Sequence, residues 1–245
     1  MPGDNGTASK ALVVVPTYNE RGTILEVVRR LFDAAGDSVD LMVVDDGSPD
    51  GTAEVVRRLA EGPHRIHLLE RRAKLGLGSA YVTAFKWALD HDYDAVVEMD
   101  ADLSHDPADV PRLLEALAGA DLVIGSRYVS GGGTRNWGPF RRFLSKGGNL
   151  YARAWLGFDV ADSTAGFRAY TTAFLATQDL DSVSSEGYSF QVEMTRRVFK
   201  AGRVIREVPI VFTERELGRS KMSRRIVLEA LVKVARWGIH DRRSK

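Results

Sequence analysis

The chain contains no cysteine, which excludes a disulfide framework, a thiolate-bound metal and a cysteine nucleophile. No apolar run approaches the roughly 20 residues that span a bilayer. The opening stretch is polar and lacks the apolar centre of a secretory signal, so residues 1–10 read as a disordered leader on a cytosolic chain. No Gly-x-Gly-x-x-Gly follows the first apolar run and no Walker-type lysine loop is present, which counts against hydride transfer and ATP hydrolysis. A Gly-x-Ser-x-Gly nucleophile elbow is absent too.

Net charge is also scarce, at +1 over 245 residues that are 44% hydrophobic and 27% charged, the balance of one ordinary globular core. The charge is unevenly placed. Between Arg127 and Phe158 stand six basic residues (Arg127, Arg135, Arg141, Arg142, Lys146, Arg153) and no acidic one, and from Arg215 to Lys245 ten basic and three acidic. Such blocks are either solvated helix faces or the footprint of an anionic partner: phosphates, nucleic acid or a membrane surface.

What is present is an alternation. Apolar runs at 11–15, 41–44, 66–69, 95–99 and 121–125 are separated by helical spacings, first Ile24, Val27, Val28 and Leu31, then 52–61, 79–91 and 108–118. Strands alternating with helices imply an α/β fold with a mostly parallel sheet flanked by helices. Beyond Arg127 the pattern changes. Gly131 to Gly133 read as flexible, and 139–157 as a helix whose apolar face runs through Phe140, Phe143, Leu144, Gly147, Leu150, Tyr151, Ala154 and Phe158. A polar loop at 162–168, a helix over 188–201 and one strand over 204–212 follow. A final helix over 222–240 confines Arg225, Glu229, Lys233, Arg236 and His240 to a narrow stripe, leaving a wide apolar arc to be packed or dipped into an interface.

Three strand ends carry polar clusters: Pro16-Thr17-Tyr18-Asn19-Glu20, Asp45-Asp46-Gly47-Ser48 and Asp100-Ala101-Asp102. Parallel strands place all three at one carboxyl edge, where open α/β sheets bind ligands. Residues i and i+2 of an extended segment share a side, so Asp100 and Asp102 can converge on a divalent cation that holds a diphosphate. The competing reading makes one Asp the cap of the helix opened by Pro107. Two further acidic strand ends on the same edge favour the cation. Gly76-Leu77-Gly78-Ser79 precedes a helix and reads either as a turn or as a phosphate site at the helix N-terminus. Glu193 is open between a sugar contact and a salt bridge. His64, His67 and His91 read as packing residues, and His105 as a neighbour of the cation site.

Val-Val-Pro-Thr-Tyr-Asn-Glu, Val-Val-Asp-Asp-Gly-Ser-Pro-Asp-Gly-Thr, Met-Asp-Ala-Asp-Leu-Ser-His and Gly-Ser-Arg-Tyr stand in this order. Together they resemble the family 2 glycosyltransferases of GT-A fold, a Rossmann-like sheet. Asn136-Trp137, Ser145-Lys146-Gly147, the 162–168 loop and the 215–222 segment resemble the polyprenol-phosphate (dolichol-phosphate) mannose synthases of actinobacterial type. The resemblance runs from about Ala11 to His240. It implies a GT-A domain at 11–221, with a nucleotide-sugar half at 11–126 and an acceptor half at 127–221, then an amphipathic basic helix and tail at 222–245.

By resemblance, Pro16, Tyr18, Glu20, Val44, Asp46, Asp100, Ala101 and Asp102 would hold GDP-mannose. Asp100, Asp102 and Ser104 would hold Mg2+ or Mn2+, with Ser104 standing where the family usually has Gln. Arg127, Arg141, Arg215 and Lys221 would bind a polyprenyl phosphate, and Asp102 and Arg127 would be catalytic. The implied reaction is inverting mannosyl transfer to polyprenyl phosphate on the inner face of the membrane. The chain would be peripheral there, resting on the lipid surface or docked on an integral membrane partner protein. Another nucleotide sugar such as UDP-glucose is the alternative donor. A nucleotide- or RNA-binding module is the alternative outside catalysis, and three acidic strand ends argue against a nucleic-acid partner.

Overall fold

The computed structural model describes residues 10–214 and 224–243. The chain runs β1 (Ala11–Thr17), α1 (Ile24–Ala35), β2 (Val39–Asp45), α2 (Thr52–Ala60), β3 (Ile66–Glu70), α3 (Leu77–Leu89) and β4 (Ala95–Glu98). It continues through α4 (Val110–Leu117), β5 (Leu122–Ser126), β6 (Gly133–Arg135), α5 (Pro139–Leu156), β7 (Arg168–Thr171) and α6 (Thr172–Leu175). The last elements are α7 (Tyr188–Lys200), β8 (Ile205–Pro209), β9 (Val211–Thr213) and α8 (Arg224–Arg243). Seven strands form one sheet in the order β3-β2-β1-β4-β7-β5-β8, and β6 pairs with β9 in a second, two-stranded sheet.

All seven residues of β2 are buried, because helices cover both faces, the usual condition of a parallel sheet. Alternate residues feed two cores. Leu12, Val14, Met42, Val44 and Val96 pack toward α3 and α7. Val13, Val15, Leu41, Val43 and Val97 pack toward α1 and α4. Helix α1 supplies Ile24, Val27, Val28, Leu31 and Phe32, the i, i+3, i+4, i+7 stripe of a helix on a sheet.

The chain beyond residue 126 departs from expectation in four places. First, β7 lies antiparallel between β4 and β5. The sequence gives no apolar run there, because the strand has four residues and opens on the fully buried Arg168. Second, the single strand expected over 204–212 is two. Pro209 ends β8, and Ile210 turns the chain so that its N–H meets Ser126 O while its O accepts from Gly133 N. Third, the Gly131–Gly133 stretch leads into strand β6 rather than forming a flexible link. A Cβ on Gly132 would stand 2.5 Å from Ser126 O, so this glycine serves close backbone approach.

The fourth departure concerns α5. Its buried residues are Asn149, Ala152 and Leu156, and the expected apolar face turns outward at its N-terminal part. Phe140, Phe143 and Leu150 are 76%, 75% and 67% exposed. The inward side is set by Asn149, whose amide donates to Ser145 O at 3.1 Å and Thr164 Oγ1 at 3.2 Å. Helix α8 packs along the other end of α5. Tyr151 donates to Leu231 O at 3.2 Å, and a Cβ on Gly238 would stand 2.7 Å from Trp155 O. Asp241 ties α8 to α7 through Arg196 (Nε–Oδ2 2.6 Å) and Lys200 at 2.8 Å. Among the described residues no helix is long and apolar enough to cross a membrane.

Candidate active site

Strands β1, β2 and β4 run parallel, so their carboxyl ends open at one edge of the sheet. After β1 the chain bends at Asn19, whose φ is 63°. Asn19 N then reaches Ser48 Oγ at 3.0 Å and Glu20 N reaches Thr52 Oγ1 at 3.1 Å, locking the first cluster onto the second. Asp45 is buried and acts as a brace, accepting from Thr17 Oγ1 at 2.8 Å and Ser48 N at 2.9 Å. Asp46 is gripped by Arg71, a residue without an obvious sequence signal. Arg71 Nε donates to Asp46 Oδ1 at 2.5 Å, Nη1 to Ser79 Oγ at 2.7 Å and Nη2 to Gly76 O at 2.8 Å.

After β4 the backbone passes Asp100 and Asp102 and takes a left-handed φ of 59° at Leu103, a costly conformation that clusters at functional sites. Ser104 N donates to Asp102 Oδ1 at 3.0 Å. Ser104 Oγ is buried with no hydrogen-bond partner. His105 accepts from Asp100 N through Nδ1 at 3.2 Å and stacks on Phe167 with ring centroids 5.0 Å apart. Burial lowers its pKa, which keeps the ring neutral. Glu98, two residues before Asp100, is fully buried, and that burial pushes its carboxyl up to about 8 against the pull of Arg168.

One cleft of about 360 Å³ opens at these strand ends. Of the residues expected at the site, Pro16, Tyr18, Glu20, Asp46, Asp100, Ala101, Asp102, Ser104, Arg127 and Arg141 line it. Val44 is fully buried in the core instead. Arg215 and Lys221 lie outside the described residues. Among the described residues no group of three or more His, Asp or Glu side chains gathers around a point. A cation here would have two carboxylates, Asp100 and Asp102, with the buried, unpartnered Ser104 hydroxyl as a third hard oxygen beside them. That small set suits Mg2+ or Mn2+ shared with substrate phosphates.

Arg127 lines the same cleft. Its Nε and Nη2 donate to Asp162 at 2.7 and 2.6 Å, and Nη2 also reaches Thr164 Oγ1 at 2.9 Å. Burial alone would raise Asp162, but this pairing outweighs it and holds the carboxyl below its ordinary value. Arg141 pairs with Glu214 and lies 4.2 Å from the Trp137 ring centroid. Lys74 stands 4.5 Å from the ring centroid of Tyr18.

Two open readings close. The α3 N-terminus is occupied by Glu186, whose carboxylate accepts from Gly78 N at 2.8 Å and Ser79 N at 3.3 Å. Glu193 is salt-bridged to Arg197 at 2.8 Å. His64 stacks on Phe32 and His91 on Trp87, as packing residues do. Arg71, Asp162 and Gln191 went unread because their meaning depends on partners far along the chain. Glu98 carried a signal, a carboxylate inside an otherwise apolar run.

Residues 12–177 match the family described as Glycosyl transferase family 2. The chain belongs to that family. It is 52% identical over 234 residues to the undecaprenyl-phosphate mannosyltransferase of Micrococcus luteus, covering 95% of this chain and 96% of that one. It is 51% identical to the polyprenol monophosphomannose synthase of Mycolicibacterium smegmatis, covering 95% and 88%. Among solved structures it resembles the Mycobacterium tuberculosis glucosyl-3-phosphoglycerate synthase in complex with Mn2+, UDP-glucose and phosphoglyceric acid. The TM-score is 0.65 at 23% identity, over 96% of this chain and 85% of that one. A Pyrobaculum calidifontis mannosyltransferase in complex with GDP-mannose and Mn2+ gives 0.56 at 23% identity, over 86% and 58%. These two likenesses establish the GT-A type of fold for this family 2 glycosyltransferase.

Proposed function

We propose that this glycosyltransferase moves mannose from GDP-mannose to a polyprenyl monophosphate with inversion, giving polyprenyl-phosphate mannose. The observation that carries the reading is one cleft lined together by Asp100, Asp102, Arg127 and Arg141. The high identity to two polyprenol-phosphate mannosyltransferases supports the choice of sugar and acceptor.

Residues 11–126 form the nucleotide-sugar half. Tyr18 and Lys74 offer a ring and a cation to the nucleotide, while Glu20 and the Arg71-braced Asp46 accept from base or ribose. Asp100, Asp102 and Ser104 would hold Mg2+ or Mn2+, which when bound would supply Lewis acidity to the leaving diphosphate. Residues 127–221 form the acceptor half. The second pKa of a phosphate monoester is about 6, so the attacking oxygen is already ionised near neutral pH. No general base is required, and positioning dominates. Arg141, stacked on Trp137, and the chain's Arg215 and Lys221 draw in the acceptor phosphate. Arg127 lines the same cleft, but its guanidinium is committed to Asp162, so it contributes field and shape more than a free fork.

The outward face of α5 begins beside the cleft, since Trp137 and Arg141 line it. Phe140, Phe143 and Leu150, interleaved with Arg142 and Lys146, suit the inner leaflet of an anionic membrane. The protein is then peripheral, and its lipid acceptor enters from the surface it rests on. The deciding assay offers GDP-mannose and UDP-glucose with polyprenyl phosphate, with and without Mg2+ or Mn2+. Cation-dependent product from GDP-mannose alone is expected; equal or preferred use of UDP-glucose refutes the donor assignment.

A further inference from the structure

Among the described residues two arginines line the cleft, and each is paired with a carboxylate. The two pairs differ in what parting them would cost. Asp162 is fully buried and the Arg127 side chain nearly so, so separation would strand charge away from water. Arg141 and Glu214 are the opposite case. Their side chains are 26% and 34% exposed, and Glu214 lines the cleft as well. Water can take up either partner, and ion pairs open to solvent are weak. One pair belongs to the frame; the other can be exchanged.

Arg141 is otherwise uncommitted. Its guanidinium lies 4.2 Å from the Trp137 ring centroid, and such stacking leaves the in-plane donors free. Only Nη1 has a hydrogen-bond partner among the described residues, the Glu214 carboxylate, so Nε and Nη2 remain available. Glu214 directly follows β9, and its place is fixed by backbone rather than by its side chain. Its N–H donates to Arg135 O at 3.2 Å, and that of Thr213 to Ser104 O at 3.1 Å. Releasing Arg141 therefore needs a side-chain rotation and no movement of the strand end.

We propose that Glu214 is an exchangeable counter-charge: it holds Arg141 until the acceptor phosphate arrives, gives it up to that phosphate and reclaims it from the product. The inference rests on the transfer reaction proposed above. The acceptor is a phosphate monoester, with a charge of about −1.5 to −2 near neutral pH. One of its oxygens bonds to the anomeric carbon while the bond from that carbon to the diphosphate breaks, and GDP leaves with the electron pair. The product is a phosphodiester with a single negative charge. A dianion that grips the guanidinium through two oxygens outcompetes one carboxylate. The diester has less charge and one oxygen masked by sugar, so it holds Arg141 no better than Glu214 does. The ion pair that yields to the substrate thus helps to expel the product.

The test measures the KM of a short, water-soluble prenyl phosphate, the inhibition constant of its mannosylated product and the KM of GDP-mannose. The proteins compared are the wild type, Glu214→Gln and Glu214→Asp. Neutralising the competitor in Glu214→Gln should tighten acceptor and product alike, by about three- to tenfold. An exposed ion pair is worth up to about fivefold in an equilibrium, and relieved repulsion adds to it. The KM of GDP-mannose should shift by less than about twofold, the scatter of such energies. Glu214→Asp keeps the charge and should tighten neither ligand. A carboxylate that merely positions Arg141 predicts the opposite sign, weaker acceptor binding in Glu214→Gln. That result, an unchanged acceptor KM, equal tightening in Glu214→Asp, or a parallel shift in the donor KM overturns the proposal. A wild type that makes no product from GDP-mannose and the prenyl phosphate defeats the transfer reading and this inference with it. Where the wild type transfers mannose and Glu214→Gln fails to tighten, the inference alone falls.

Discussion

Replacing Phe140 and Phe143 with serine removes two rings that face solvent on α5. Fully burying a phenylalanine side chain is worth about 1.5–3 kcal/mol relative to leaving it exposed. With each residue about three-quarters exposed, roughly 1–2 kcal/mol per ring is available on membrane contact. The pair then contributes about 2–4 kcal/mol, and at 1.4 kcal/mol per decade the double variant binds vesicles about 30- to 700-fold more weakly. Flotation with vesicles rich in anionic lipid measures this directly. Added salt should weaken the wild type as well, because Arg142 and Lys146 share the face. Neither phenylalanine lines the cleft, so turnover of a short, water-soluble prenyl phosphate should be unchanged while turnover of long-chain acceptor in vesicles falls. Unaltered flotation of the double variant, or equal loss with both acceptors, refutes the assignment of this face to the membrane.

Asp102→Ala should lower kcat by about a thousandfold or more while the melting curve is retained, since several kcal/mol of leaving-group stabilisation is lost; undiminished turnover would refute the cation site. Asp162→Ala strips a buried guanidinium of its bidentate partner and should cost about 3–5 kcal/mol in urea unfolding. An effect under about 1 kcal/mol would mean that Arg127 finds water instead. Burial alone would raise Asp241, yet hydrogen bonds from Arg196 and Lys200 outweigh it and depress its pKa. A depressed folded pKa gives stability that is present above the ordinary carboxylate range and is lost as pH falls through it. Asp241→Asn should therefore weaken α8 docking near neutral pH and flatten its acid dependence, read by hydrogen exchange along α8; an unchanged acid profile would refute the link.

The first five strands were readable because each is an apolar run, and all but the edge strand β3 are buried on both faces. Strand β7 was not, since Arg168 interrupts the apolar signal and its compensation comes from carbonyls on a loop and on α7. Helical periodicity identified the apolar stripe of α5 correctly as a stripe. It could not say which way the stripe points; Asn149 decides that, through partners in the 162–164 loop. The acidic edge was legible for the same reason that the sheet was, because i and i+2 at the end of a parallel strand have few places to go. Arg127 could be read as a cation but not as a committed one, because Asp162 is 35 residues away. Gln191 was invisible in sequence, as its partner Glu98 is 93 residues away.

The placement of β7 limits how such an enzyme can be rebuilt. A chimera joined at residue 126, taking one parent's first half and another's second, would have to insert a foreign antiparallel strand between β4 and β5. The inserted strand's edges must match Ala95↔Thr171 on one side and Leu122↔Tyr170 on the other. The loop that precedes it delivers Gly166 to the side of Asp100. Exchanging the second half alone would therefore disturb the first half's own carboxylates. The two halves of the chain are interlocked in one sheet, and a successful transplant would carry β7 and the loop before it together with β4 and β5.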